Sequence, residues 1–266
     1  MKAEVSGTGI HFRAGERLAG LYVLDDPFKP HFAVLNTPDG HNVAVVSPPD
    51  HRHHKGLMYG LRCADLNFWE EDPGTGACGI QQILSTKPIA SGFTQELLWR
   101  EESGGLQSYR ERRTITCRNI PEKSAFEWRW HSRRESLRAH RLIKSPWSAV
   151  LQDGRSINYH GLGLRLPWAW AYPGETTAGI EIDSFPADAP HVMGSSGPAV
   201  TMWGLMDGQW SPAKCAVTIH QSGGGTWFVM RQPFAYIAVG PSNAQEMDVR
   251  EGDCFDDIYT ITVADR

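Results

Sequence analysis

The chain is poor in cysteine and pairs none of it: Cys63, Cys78, Cys117, Cys215 and Cys254 are scattered over 266 residues with no CxxC among them. That argues against a zinc ribbon or a thioredoxin-type redox site, and an odd count without a framework fits a reducing compartment. No window approaches the ~20 consecutive apolar residues that a membrane-spanning helix needs. Met1 to Phe12 lacks an apolar run of signal-peptide length. Basic residues are not in excess: 26 Lys and Arg face 30 Asp and Glu, a formal net charge of −4, so neither a nucleic acid nor a membrane is expected as a partner. The expected location is cytoplasmic. Helical periodicity longer than about two turns is also missing, as are internal repeats and low-complexity linkers.

What is present is strand patterning. Phe126, Trp128 and Trp130 alternate with Glu127, Arg129 and His131, and Cys215, Val217 and Ile219 alternate with Ala216, Thr218 and His220, a period of two. Thr226 to Arg231, Ala235 to Val239 and Ile258 to Val263 are short and rich in β-branched or aromatic residues. Turn punctuation recurs, as in Thr37-Pro38-Asp39-Gly40, Asp72-Pro73-Gly74, Asp153-Gly154 and Tyr172-Pro173-Gly174. The predicted fold is all-β, a large antiparallel β sandwich with very little helix, forming a single domain over residues 1–266. Pro186 to Pro198 reads as a long surface loop within it.

Four constellations carry candidate chemistry. The densest is Ser47-Pro48-Pro49-Asp50-His51-Arg52-His53-His54-Lys55-Gly56. Its prolines stop a helix and Gly56 permits a tight approach before the next strand. Three imidazoles beside a carboxylate and two cations form a cluster that titrates around neutral pH. They suit metal ligation, general acid/base work or hydrogen bonding to a polyol. In extended chain, His51 and His53 would point one way and His54 the other. An HxH pair such as His51 and His53 needs further ligands from elsewhere to hold a metal. The second constellation, Asn67-Phe68-Trp69-Glu70-Glu71-Asp72, sets three carboxylates after the following strand, where a hairpin would bring them near the histidines; Glu70 or Glu71 then suits a base or a ligand. In the third, Asn158-Tyr159-His160-Gly161-Leu162-Gly163-Leu164-Arg165, the glycines suit close packing in a strand. His160 and Arg165 interrupt an apolar run, and a buried charge needs a partner. The fourth is His220 at the end of a strand before Gly223-Gly224-Gly225. His11, His31, His41, His131, His140 and His191 lack supporting neighbours and receive no role.

Ten tryptophans fill a core or line a sugar site, because flat apolar sugar faces stack on aromatic rings. Trp69, Trp168, Trp170 and Trp203 have loop-like neighbours and are the better site candidates.

The stretch from His31 to Glu71, above all Asp-His-x-His-His-Lys-Gly followed by Asn67-Phe68-Trp69, resembles a bacterial PmoA-like family labelled methane oxygenase, a domain-of-unknown-function family. The segment Gly161 to Arg165 and the His220 region resemble it too, so the resemblance covers most of the chain. It departs at Arg52, where family members usually carry Pro, and at His220-Gln221, where they carry His-Pro. A membrane copper monooxygenase subunit needs transmembrane helices, and the chain lacks them. The resemblance instead implies a galactose-mutarotase-like sandwich and a neighbourhood in sugar catabolism. Aldose epimerases use two His and one Glu, yet the late strand that would carry the Glu ends in Gly240, so simple mutarotation would need Glu70, Glu71 or Glu246 as a substitute.

The expectation is therefore an enzyme acting on a sugar or sugar derivative by His-based acid/base chemistry, of epimerase, lyase or hydrolase type. His53, His54, His160, His220 and Glu70 are the expected catalytic set. Arg165, Trp69, Lys55 and Trp203 are the expected substrate contacts. Cofactors are left open, with a divalent metal on His51 and His53 as one option. The expected partner is a small-molecule carbohydrate, and a homo-oligomer is compatible with the sequence. A non-catalytic carbohydrate-binding protein on the same fold is the alternative, and a metal-dependent HxH-type oxygenase the third reading.

Overall fold

A computed structural model of the chain describes residues 1–171, 178–182, 185–207 and 211–266. The turn at Tyr172-Pro173-Gly174 lies outside the described residues. Two large antiparallel sheets account for most of the rest. The eight-stranded sheet runs, in spatial order, Lys2–Val5, Gly9–Ala14, Arg17–Val23, His31–Leu35, Leu57–Gly60, Gly161–Arg165, Tyr236–Gly240 and Thr226–Met230. The nine-stranded sheet runs Phe185–Ala187, Ala178–Ile182, Ala199–Met206, Ala213–Gln221, Cys254–Asp265, Ala125–Ser136, Gln107–Ile120, Gly92–Glu101 and Gly79–Ile89. Among the described residues helix is confined to the four residues Ala189–Val192, inside the expected surface loop, and to single 3-10 turns at Pro73–Thr75, Pro121–Lys123 and Trp168–Trp170. No described helix is long and apolar enough to cross a membrane.

The period-two pattern decides what each sheet buries. In Ala125–Ser136 the residues Phe126, Trp128 and Trp130 point inward, and Arg129 and Glu135 outward. The inward rings meet those of the other sheet: Phe12 and Phe32 lie 4.9 and 4.8 Å from Trp128, edge-on. Further along the same inward faces the core turns ionic. Arg113, fully buried, donates to Glu111 (2.8 Å) and to the Tyr22 hydroxyl (2.8 Å), and stacks on Trp130 at 4.6 Å. A buried guanidinium is tolerated only when so fully partnered.

In the eight-stranded sheet both faces of the central strands are covered, and this positions the site. Leu57, Tyr59, Leu162, Leu164, Ile237 and Val239 face the large inter-sheet core. Met58, Trp69, Tyr159, Phe228, Phe234 and Tyr236 form a second, separate apolar cluster on the opposite face. Gly163 makes that second cluster fit. A Cβ there would stand 2.0 Å from the Tyr236 hydroxyl and 2.9 Å from the Trp69 ring, so no larger residue leaves room for both rings.

Candidate functional site

The histidine segment is not extended. His51 N–H donates to the Pro48 carbonyl (3.0 Å) and His54 N–H to the His51 carbonyl (3.0 Å), two successive turns closed at the base by Ser47 N–H to the His54 carbonyl (2.6 Å). The expected alternation of side chains fails for this reason. An i to i+3 turn returns residues 51 and 54 to the same side, and their rings stack 4.8 Å apart at 19°. Gly56 then turns the chain into the strand Leu57–Gly60 with φ +68°, and a Cβ there would lie 2.1 Å from the Phe32 carbonyl oxygen. Only glycine meets both conditions.

Arg165 locks this loop to the sheet. The strand pairs Leu162 and Leu164 inward, so Arg165 emerges on the outer face. There it donates to Asp50 Oδ2 (2.8 Å) and to His54 Nδ1 (3.3 Å), over the Phe234 ring at 3.9 Å. A guanidinium only donates, so His54 accepts at Nδ1 and its proton sits on Nε2. Asp50 Oδ2 also accepts from His51 Nδ1 at 3.0 Å. Arg165, expected as a substrate contact, is 1% exposed, and its donors hold the loop. Asp50 is held below the usual carboxylate range: burial pushes it up, but hydrogen bonds from Arg165 and His51 outweigh that.

Behind the loop lies a second polar layer. Glu70 accepts from the Tyr159 hydroxyl (2.9 Å) and the Ser145 hydroxyl (3.1 Å), with Arg62 at 3.5 Å. Burial pushes its carboxyl up, yet His160 and the Asn67, Tyr159 and Arg62 contacts more than compensate, so its pKa lies below the usual value. His160 is fully buried between Trp69 (5.2 Å) and Tyr159 (5.1 Å). Asn158 Oδ1 accepts from Ser145 N–H (3.2 Å), which turns the Asn158 amide nitrogen toward His160 Nδ1 at 2.6 Å. The ring proton is thereby assigned to Nε2, and Nε2 has no hydrogen-bond partner. Burial, the largest influence, drives the His160 imidazole down to about 3.

The open part of the site is a cleft of about 820 Å³, lined in part by Phe28, Asp50, His51, His53, Lys55 and Glu71. Its floor is a chain of alternating charges. Lys55 Nζ lies 3.1 Å from both Asp26 and Glu71, and the buried Lys29 Nζ lies 3.1 Å from Glu71 and donates to the Trp69 carbonyl at 2.6 Å. His53 forms one wall, edge-on to His54 at 4.7 Å, and its ring nitrogens make no hydrogen bond within the described residues. Burial, then the Lys29 charge, hold His53 neutral down to about 4. Burial and the neighbouring imidazoles likewise hold His54 far below the ordinary histidine value. At neutral pH His53 and His54 are thus neutral imidazoles, while Asp26 and Asp50 are held below the usual carboxylate range and Lys55 above the usual ammonium value.

Of the residues expected from sequence, His51, His53, His54, His160, Glu70, Arg165, Trp69 and Lys55 come together on the outer face of the eight-stranded sheet. His220 and Trp203 do not. His220 is exposed in the nine-stranded sheet opposite Ala199 and Thr260, and Trp203 lies in the same sheet beneath the Lys214 ammonium at 3.9 Å. Trp69 is fully buried and packs against His54 at 6.4 Å and His160 at 5.2 Å; Trp170 is core and Trp168 is exposed near Arg165. Asp26 and Lys29 escaped the sequence reading. Asp26 Oδ1 accepts from the Phe28 and Lys29 amides, a turn that Asp-Pro predicts, but its pairing with Lys55 has no local signal. Among the described residues no third group joins His51 and His53 in a set with all ligand atoms within 4.8 Å. A larger groove of about 1320 Å³, bordered by Val150, Asp153, Arg155, His191 and Met230, holds none of the expected site residues.

A family model described as "Family of unknown function (DUF6807)" matches residues 10–266; its description is not that of a methane oxygenase. No curated protein matches the chain in sequence. Among solved structures the chain is similar to GH36 alpha-galactosidase AgaB from Geobacillus stearothermophilus, with TM-score 0.46 and 11% identity over 100% of this chain and 41% of that one. It is also similar to galactose 1-epimerase from Lactobacillus acidophilus NCFM, with TM-score 0.46 and 6% identity over 99% of each chain. The chain thus spans about two fifths of the length of the alpha-galactosidase. Likeness at this level carries no argument about chemistry.

Proposed function

The chain belongs to the DUF6807 family, and for this member we propose an enzyme that acts on a sugar or sugar derivative by imidazole-based proton transfer. The observation that carries the reading is His53: a cleft-lining imidazole held neutral to about 4, with no hydrogen-bond partner on either ring nitrogen among the described residues. A neutral, unpartnered imidazole is a base waiting for a proton donor. Lys55 and Glu71 across the same cleft offer a donor and an acceptor to neighbouring hydroxyls, and Lys55 offers positive charge to an oxyanion that develops as the proton leaves. The reaction class is proton transfer next to a carbonyl or at the anomeric centre: epimerisation, elimination or hydrolysis. His54, Arg165 and Asp50 position His53 through the loop. Glu70, Tyr159 and His160 form the layer behind.

One observation favours a second reading. His54, Glu70 and His160 are each no more than 3% exposed, so part of the expected catalytic set is scaffold, as in a non-catalytic carbohydrate-binding protein. His53→Ala separates the two. Aldoses, ketoses and 3-keto sugars are screened for turnover by NMR and for binding by calorimetry. An acid/base role predicts a rate lower by roughly 10²–10⁴-fold with binding largely kept. Binding alone predicts no wild-type turnover and an affinity change worth only about 0.5–1.5 kcal/mol.

A further inference from the structure

We propose that His41, Cys215 and Asp265 form a divalent-metal site of the zinc type, remote from the cleft and built where the two sheets are tied together. Their ligand atoms, one from each residue, lie within 4.8 Å of one another. Cys215 and Asp265 are direct cross-strand partners in the nine-stranded sheet. His41 is brought to them by the turn after His31–Leu35, held by Gly40 N–H to the Thr37 carbonyl (2.9 Å) and by Asp39 N–H to Asp265 Oδ2 (3.0 Å).

The second observation is that polar atoms at this cluster are left without partners among the described residues. Asp265 Oδ1 is buried without a hydrogen-bond partner. Within the described residues the Cys215 thiol, fully buried, and the ring nitrogens of His41 make no hydrogen bond either. A buried polar atom left alone costs stability, and the buried Cys215 thiol and Asp265 Oδ1 beside the half-exposed His41 ring form a donor set that a cation resolves at once. A Cys-His nucleophile is the competing account. It fails because Cys215 has no exposed surface, whereas a nucleophilic cysteine is solvent-accessible.

Donor chemistry selects the ion. Thiolate with imidazole disfavours magnesium and calcium and suits zinc. One thiolate and one carboxylate together cancel the charge of a divalent cation. Tetrahedral zinc sets its ligand atoms roughly 3.5 Å apart, and a turn residue such as His41 can supply the adjustment that loading requires. His41 and Asp265 are half-exposed, which leaves water a path to the fourth position. On binding, the Cys215 thiol gives its proton to solvent and its sulfur bonds the metal. The loaded site clasps the turn at residues 37–41 onto the nine-stranded sheet. That turn feeds the segment that reaches the histidine loop, where Val46 bridges Lys55.

Cobalt(II) tests the site, because a cysteine thiolate bound to it gives a near-ultraviolet charge-transfer band that His and carboxylate ligands do not. Tag-free full chain, stripped with chelator, is titrated with cobalt and then displaced with zinc. The expected result is one equivalent of cobalt with the thiolate band, abolished in Cys215→Ser, weakened at least tenfold in affinity in His41→Gln, and unchanged in Cys254→Ser and His53→Ala. His41→Gln alters a half-exposed turn residue and so guards against a Cys215 variant that fails to fold. No band in the wild type, a band that survives Cys215→Ser, or an unweakened His41→Gln overturns the proposal.

Discussion

His160 makes the fold sensitive to acid in a window where most carboxylates are silent. Its ring is driven from an ordinary 6.5 to about 3, chiefly by burial. The unfolded chain therefore takes up a proton below about pH 6.5 that the folded chain refuses. The stability associated with the neutral ring is complete above 6.5 and is lost progressively as pH falls toward about 3. Each pH unit below 6.5 costs about 1.4 kcal/mol for such a group, so between pH 7.5 and 5 His160 alone removes on the order of 2 kcal/mol. Urea unfolding of wild type and His160→Gln at pH 7.5 and 5.0 measures the effect. The variant is expected to lose about 2 kcal/mol less than wild type between the two pH values, whatever its stability at pH 7.5. An equal loss in both proteins would refute the argument, because it would mean that His160 binds its proton alike in the folded and unfolded chain.

Two structural predictions follow from the outer face. Gly163→Ala forces a methyl to within 2.0 Å of the Tyr236 hydroxyl, and Tyr236 is itself stacked on His54 at 4.9 Å; thermal or urea unfolding is expected to show a loss of about 1–3 kcal/mol, and an unchanged midpoint would mean that the two rings move freely. Arg165→Met leaves Asp50 and His54 without their donor and is expected to cost about 1–3 kcal/mol, discounted because Asp50 reaches solvent. It should also raise amide exchange in residues 48–54; protection equal to wild type there would contradict the positioning role.

How much of this was legible from sequence depends on the range of the interaction. The strands Gly92–Glu101, Gln107–Ile120 and Ala125–Ser136 declare themselves because one face of each is buried and alternation records it. Gly9–Ala14 and Ala199–Met206 carry no such signal. The first lies in a short segment of mixed polarity, and the second is buried along most of its length, which erases the alternation. Asn42 to Ser47 reads as a strand from its valines but makes only isolated bridges, since Ser47 turns with φ +48° into the proline pair. The histidine cluster, Glu70 and Arg165 stood out by composition and by charge inside apolar runs. Their division into cleft wall and buried scaffold did not, because it depends on which face of the eight-stranded sheet each residue reaches. His220 shows the converse: a histidine at a strand end before a glycine loop has the right local chemistry and the wrong sheet. His41 and Asp265 carry no local signal at all, since only the packing of a turn on a distant strand pair brings them to Cys215.

The central claim is that neutral His53 takes a proton from a sugar, and the most direct measurement is the pH dependence of wild-type turnover beside that of His53→Ala in deuterated buffer. On whichever aldose, ketose or 3-keto sugar shows turnover, the wild-type rate is expected to hold steady from pH 8 down through the ordinary histidine range. It should fall only toward about 4, where His53 gains its proton. The alanine variant should be slower by roughly 10²–10⁴-fold. A wild-type rate that fails near 6.5, or a His53→Ala variant that turns the sugar over as fast as wild type, would contradict it.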